Sequence, residues 1–345
     1  MRTTFRVGIT PDFYTDAKGR FEAALESKLQ NVSGLEFAPI PPQPNKVMTR
    51  EAADQFDAIF ALGTSFTAES VQGCQRLALI ARWGVGYDMI DIQAINNAGI
   101  LLAITPQAVR RPVAEAILAY IFALAKNIPE NDRITREGKW RGQLSRLGTC
   151  LEGRTLGSIG CGNIAQEMFR LASGLGFSRF LAHDPYANPD AAAKLNVELT
   201  SIDHVFRDSD FVAVNCLLNQ QTRGLIGAEH FRLMKPSAFF INTARGAIVR
   251  QADLTQALRE RWILGAGIDV FEKEPVDPTD PLLSLDNVIL APHALAWTEE
   301  IARDNGLEAC DNILALFRGQ IPHGAVNREV LNTPAFLRKL ERYKQ

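Results

Sequence analysis

Residues 154–186, RTLGSIGCGNIAQEMFRLASGLGFSRFLAHDPY, constrain the fold more than any other stretch of the chain. A short apolar run (Leu156, Ile159) leads into a turn through Gly160, Gly162 and Ala165. Apolar residues then recur at helical spacing (Ile164, Met168, Leu171, Leu175), and a second apolar run (Phe180, Leu181, Ala182) ends at Asp184. Strand, glycine turn, helix, strand and acid in this order predict a parallel βαβ unit. Each part has a physical job if the ligand is a dinucleotide. Gly160 permits the tight turn, Gly162 lets backbone approach a diphosphate, and Ala165 keeps the helix close to its strand. The unpaired N–H groups at the helix start face the phosphates. Asp184 lies 22 positions beyond Gly162, near the distance of about 20 at which a dinucleotide fingerprint carries the acid that takes the ribose hydroxyls. The glycines alone would fit a merely structural turn; the acid at its distance favours the ligand. Pro185 follows, with no arginine to meet a 2′-phosphate, so NAD is expected over NADP.

A chain of 345 residues is long for one core. Around the fingerprint, apolar runs read as strands over 5–10, 35–38, 58–62 and 77–81, then 211–215, 239–243, 265–270 and 288–290. Helical patterns cover 21–29, 251–261 and 299–317. This alternation predicts an α/β protein of two Rossmann-like or flavodoxin-like parallel-sheet domains with an interdomain cleft, the usual place for a small ligand. The expected division is a substrate domain of 1–104 plus 298–345 and an NAD-binding Rossmann domain of 105–297. The helix after 299 returns the chain to the first domain, and Val326-Asn327 closes that sheet. Pro112 suits a helix first turn ahead of the apolar run AILAYIFALAK. Residues 333–345 read as a solvated basic helix without a function.

Several function classes drop out. A net charge of −2 offers no footprint for nucleic acid or an anionic membrane. No apolar run reaches spanning length, and residues 5–9 read as a strand where a leader would carry its apolar region. Five scattered cysteines without a CxxC pair argue against a disulfide framework or a zinc site, so no metal and a cytoplasmic, reducing location are expected.

Three segments that follow apolar strands carry the reactive side chains: Asn242-Thr243-Ala244-Arg245-Gly246, then GIDVFEKEP with Asp269 and Glu274, then Ala291-Pro292-His293. Taken singly, an arginine after a strand is more often a surface ion pair, and His293 is one of five histidines. Delivered together to the sheet edge that holds the glycine turn, they fit hydride transfer to a 2-oxo acid. That reaction needs a cation to bind the carboxylate and polarise the carbonyl, which the planar fork of Arg245 suits. It also needs a proton donor for the developing alkoxide, which suits His293 supported by Glu274. Asp269, closer to its strand, suits accepting from the nicotinamide carboxamide. Earlier, Gly84-Val85-Gly86-Tyr87-Asp88 follows another strand; it is either a plain tight turn or a set of backbone donors for a carboxylate.

The segments RWGVGYDMIDI, LGSIGCGNIA, MKPSAFFINTARGAIV, AGIDVFEKEP and LAPH, in this order within residues 55–328, resemble the D-isomer-specific 2-hydroxyacid dehydrogenase family. The resemblance implies NAD-dependent interconversion of a 2-oxo acid and its (R)-2-hydroxy acid, on a small substrate of the glyoxylate or hydroxypyruvate type. It implies catalytic roles for Arg245, Glu274 and His293. It further implies that Gly160, Gly162, Asn163, Ile164, Asp184, Thr243, Ala244, Arg245, Asp269 and His293 line NAD, that Val85 and Gly86 join Arg245 at the substrate carboxylate, and that the chain is a homodimer built through the dinucleotide domain. Glu274 separates it from formate dehydrogenases, which carry glutamine there. The chain departs from the family pattern at Leu217, where many members have proline, and at Ala294-Leu295-Ala296-Trp297, where small glycine-rich residues are common. Both departures bear on substrate choice. Two other readings are an NAD(H)-sensing, corepressor-like binding protein and a dehydrogenase for a phosphorylated hydroxy acid. For the latter, Gly63-Thr64-Ser65 lacks an arginine, while Arg110 and Arg111 are available.

Overall fold

A computed structural model describes residues 4–342; the outermost residues of the expected terminal segments, 1–3 and 343–345, lie outside them. The chain divides into two compact units, the first running to Val109 and resuming at Trp297, the second spanning Arg110–Ala296.

The first unit is built on a five-stranded parallel sheet of β1 (Phe5–Ile9), β2 (Leu35–Pro39), β3 (Ala58–Ala61), β4 (Leu79–Arg82) and β5 (Leu101–Ala103), in the order β2-β1-β3-β4-β5. Strands β3, β4 and β5 are buried along their whole length, as parallel strands covered on both faces must be, which is why they read as unbroken apolar runs. The helix Glu299–Phe317 joins this unit. It is capped by Thr298, whose side chain accepts from the Ile301 N–H, and it buries Ile301, Ala302, Gly306, Ala309, Cys310 and Ile313. A Cβ at Gly306 would stand 2.6 Å from that of Ala24, so this contact admits only glycine without a shift of the backbone. Val326 does not extend the sheet as a strand. Its N–H bonds to the Leu102 carbonyl beside a single bridge between Ala103 and Ala325.

The second unit holds seven parallel strands: β6 (Thr155–Ile159), β7 (Arg179–His183), β8 (Val197–Leu199), β9 (Phe211–Val214), β10 (Phe239–Asn242), β11 (Gly265–Ile268) and β12 (Val288–Leu290). Their order is β12-β11-β10-β9-β6-β7-β8. The strand order reverses between β6 and β9, where ligands of open α/β sheets gather. The helix Asn163–Ala172 buries Ala165, Met168, Phe169 and Ala172 on one face, and burying Phe169 alone is worth about 1.5–3 kcal/mol.

Three expectations change. Pro112 is not in a first turn, because the helix runs Pro106–Ala125 with Pro106 leading and Pro112 inside, where it forfeits one backbone bond. β5 and β8, three residues each, are strands absent from the sequence-based expectation. The tail is not a solvated helix. Pro334–Leu340 buries Phe336 and Lys339, with Gly99 leaving room for Ala335.

Lys339 is 4% exposed, and its Nζ donates to the Leu77 and Ala98 carbonyls at 2.7 Å each. Burial pushes its amine down to about 8, against the pull of Cys74 and Asp54. The unfolded chain therefore binds a proton here that the folded chain has released between about pH 8 and the ordinary lysine value, so stability rises with pH across that window. Relative to Lys339→Met, the wild type should gain roughly 2 kcal/mol of stability from pH 7.5 to 10. Denaturant titrations of both proteins at the two pH values check this, and parallel pH dependence would contradict it.

Candidate active site

The glycine turn lies at the carboxyl end of β6. Gly160 has φ +101, in the left-handed region, and a Cβ there would stand 2.6 Å from the Cys216 nitrogen beyond β9. The two central strand ends thus touch through a position that tolerates no side chain. Gly162 caps the helix Asn163–Ala172, and a Cβ built on it meets nothing within 4 Å, so its surroundings are open. Asn163 is exposed, Ile164 half-buried and Ala165 buried. The Asp184 carboxylate closes the loop from β7, accepting from the Cys161 N–H at 2.8 Å and the Tyr186 N–H at 2.9 Å.

A dinucleotide fits this arrangement. The helix start presents N–H donors beside open space, as phosphates require. The Thr243 hydroxyl, beyond β10, is buried and has no hydrogen-bond partner among the described residues. An orphaned buried hydroxyl is costly, and a ligand group would satisfy it.

The turn after β10 is organised by Asn242, which is 2% exposed. Its Oδ1 accepts from the Ala244 N–H at 3.0 Å and its Nδ2 donates to the Arg245 carbonyl at 3.0 Å. The sequence places Asn242 at the head of this segment without giving it a role, although its position at a strand end, three before the arginine, is the available signal. Gly246 then brings this strand end against the next. A Cβ there would fall 1.9 Å from the Phe271 carbonyl carbon. One nitrogen of Arg245, Nη1, donates to the Ala244 carbonyl at 2.7 Å.

His293, beyond β12, sits at φ +54, an uncommon conformation for a residue with a side chain. Asp269 holds it there. The Asp269 carbonyl accepts from the His293 N–H at 2.7 Å, and its Oδ1 accepts from the Ala294 and Leu295 N–H groups at 3.0 and 3.2 Å. Burial raises the pKa of Asp269, opposed by the Leu295 and Ala294 amides. One oxygen of this acid is thus spent on the histidine loop. Its Oδ2 makes no hydrogen bond among the described residues.

His293 Nδ1 lies 2.8 Å from Glu274 Oε2, while Glu274 Oε1 accepts from the Phe271 N–H at 2.9 Å. Burial works against the Glu274 charge. The His293 hydrogen bond and charge, the Phe271 N–H and the Arg245 guanidinium outweigh it and hold this carboxyl below the ordinary glutamate value. The second unit therefore assembles Arg245, Glu274, His293 and Asp269 on the ends of three adjacent strands, with Thr243 and Ala244 in the Arg245 turn and the glycine turn on the same edge.

Val85 and Gly86 belong to the first unit, on the half-buried turn after β4. In the same unit Trp297 meets Trp83 edge to face with centroids 6.1 Å apart, and the Arg20 guanidinium lies over the Trp297 ring at 5.8 Å. Leu217 is exposed.

Comparison with known proteins agrees on one family. Residues 118–294 match the NAD binding domain of the D-isomer specific 2-hydroxyacid dehydrogenases. A glyoxylate reductase of Korarchaeum cryptofilum is 37% identical over 88% of this chain and 93% of its own length. A D-3-phosphoglycerate dehydrogenase of Archaeoglobus fulgidus is 34% identical over 89% of this chain but only 57% of its own. Among solved structures, a glyoxylate reductase from Paecilomyes thermophila superposes with a TM-score of 0.80 at 25% identity, covering 94% of this chain and 99% of its own.

Proposed function

Since the chain belongs to the D-isomer-specific 2-hydroxyacid dehydrogenase family, an NAD-dependent oxidoreductase family, we propose that its substrate is glyoxylate or a 2-oxo acid of similar size, such as hydroxypyruvate. The relay of His293 and Glu274 at 2.8 Å carries this reading. NADH, when bound, supplies the hydride. Arg245 pairs with the substrate carboxylate and polarises the carbonyl, and the Val85 and Gly86 N–H groups are further carboxylate donors. With Nδ1 engaged by Glu274, the His293 Nε2–H is the donor that protonates the oxygen as it becomes an alkoxide. Glu274, held below the ordinary glutamate value, is a carboxylate at neutral pH and fixes the orientation of the His293 ring through Nδ1. Asn163, Ile164, Asp184, Thr243, Ala244 and Asp269 serve the cofactor, the second unit taking NAD and the first the substrate.

Reduction of glyoxylate, hydroxypyruvate and phenylpyruvate, followed by NADH absorbance beside NADH affinity, tests the proposal. Turnover of the two smaller acids is expected. Tight NADH binding with no turnover of any acid would make the chain an NAD(H) sensor instead. Glu274→Gln removes the carboxylate that engages His293 Nδ1, so kcat for reduction should fall by about tenfold or more while NADH affinity holds, and an unchanged kcat would exclude Glu274 from the relay.

We also propose a cytoplasmic homodimer. Five unpaired cysteines, three of them buried, suit a reducing compartment. Within the second unit Phe122, Ile128, Trp140 and Leu147 are exposed, Trp140 and Leu147 at 71% and 86%. Apolar side chains so displayed within one 26-residue stretch suit contact with a second copy. Trp140→Glu with Leu147→Glu should convert a dimer to a monomer by light scattering, whereas an unchanged mass would move the interface elsewhere.

A further inference from the structure

Strand β4 ends on a buried guanidinium. Arg82 is 9% exposed, and a buried charge is expensive unless its hydrogen bonds are met. Its Nε donates to the Gly86 carbonyl at 2.9 Å and its Nη1 to the Trp83 carbonyl, so the turn that follows the strand is wrapped around it. Gly84 sits at φ +120, where any side chain is strained, and a Cβ there would stand 3.1 Å from Arg82 Nη1, close enough to push on the guanidinium. Thr105, fully buried, grips the same turn through different atoms. Its N–H donates to the Gly84 carbonyl at 3.1 Å, and its Oγ1 accepts from the Gly84 N–H at 2.7 Å and donates to Asn305 Oδ1. Asn305 is itself buried on the helix Glu299–Phe317.

These anchors decide where the next amides face. The C=O and N–H of a trans peptide point in opposite directions. With the Gly84 carbonyl held on Thr105, the Val85 N–H of the same peptide is turned away from Thr105. With the Gly86 carbonyl held on Arg82, the Tyr87 N–H is turned away from Arg82. Among the described residues the N–H groups of Val85, Gly86 and Tyr87 donate to no protein acceptor. Successive free amides backed by a fixed positive charge form an anion-binding concavity.

We infer that Arg82 and Thr105 are positioning residues that preform this turn for the carboxylate of the 2-oxo acid, and that the Tyr87 N–H is a third donor beside those of Val85 and Gly86. The inference rests on the substrate class proposed above. Neither side chain touches the substrate. Each removes an ordering cost that a free turn would meet on binding.

The test uses full-length Thr105→Val, Thr105→Ser and Arg82→Lys beside the wild type, with glyoxylate and NADH. Loss of the Thr105 hydroxyl should raise KM for glyoxylate about tenfold, and Arg82→Lys, which loses the fork, about thirtyfold. In both, kcat should stay within about threefold and NADH affinity within about twofold, because only carboxylate binding is touched. Thr105→Ser should restore KM to within about twofold of wild type, a rescue that loss of packing would not give. Thr105→Val keeps the question open to refutation if Arg82→Lys fails to fold. An active wild type with KM unmoved in Thr105→Val, or Thr105→Ser as impaired as Thr105→Val, would overturn the inference alone. A wild type inert toward every 2-oxo acid would overturn the substrate reading, and the inference with it.

Discussion

Arg245→Met is expected to lower kcat/KM for 2-oxo acid reduction by about four orders of magnitude while leaving NADH affinity within about threefold. A charge-assisted bond to a carboxylate is worth about 1.5–3 kcal/mol, and a donor aimed at a developing oxyanion about 2.7–4 kcal/mol. Arg245 is assigned both tasks, and their sum of roughly 4–7 kcal/mol spans three to five powers of ten. Arg245→Lys should recover little of the loss, because an ammonium cannot present two parallel donors to one carboxylate. Asn242 and Gly246 hold the turn backbone alongside the Arg245 bond to the Ala244 carbonyl, so the variant should fold. Steady-state kinetics with circular dichroism checks the prediction. A folded Arg245→Met enzyme within tenfold of wild type would remove Arg245 from the chemistry.

His293→Asn is expected to cost about three orders of magnitude in kcat, the middle of the range for a general acid. Asparagine is the informative replacement, because His293 sits at φ +54 and asparagine tolerates that region better than other residues with a side chain. The Asp269 bonds to the 293–295 amides are backbone contacts and persist, so loss of the proton donor is separated from collapse of the loop. KM for the 2-oxo acid should change little, since the imidazole acts on the transition state and not on the carboxylate. Single-turnover rates with preformed enzyme–NADH complex check this. Retention of wild-type kcat with every 2-oxo acid would move the proton donor to another group.

What could be read without coordinates was local. The glycine turn, its helix and Asp184 lie within 33 consecutive residues, and each part answers to backbone sterics or amphipathic spacing over that distance. The reactive side chains were legible because each closely follows an apolar run, and parallel strands deliver their carboxyl ends to one edge. The errors share a cause as well. Lys339 looks solvated in a basic tail, and only packing across more than 230 residues turns its amine onto the Leu77 and Ala98 carbonyls. Pro112 looks like a helix start because proline usually is one, but a helix already begun at Pro106 carries it inside.

The amino-acid order by itself determined the α/β class and the NAD-binding turn, and it singled out the arginine, acid and histidine on which the proposed mechanism rests, because these follow from strand and helix periodicity and from side-chain chemistry. Tertiary structure alone decided that Asp269 spends one oxygen on the histidine loop, that Asn242 shapes the arginine turn, and that Arg82 and Thr105 grip the Gly84 turn. Such assignments depend on which buried carbonyls and amides find partners from distant strands, and a hydrogen bond of about 3 Å has no counterpart in sequence spacing.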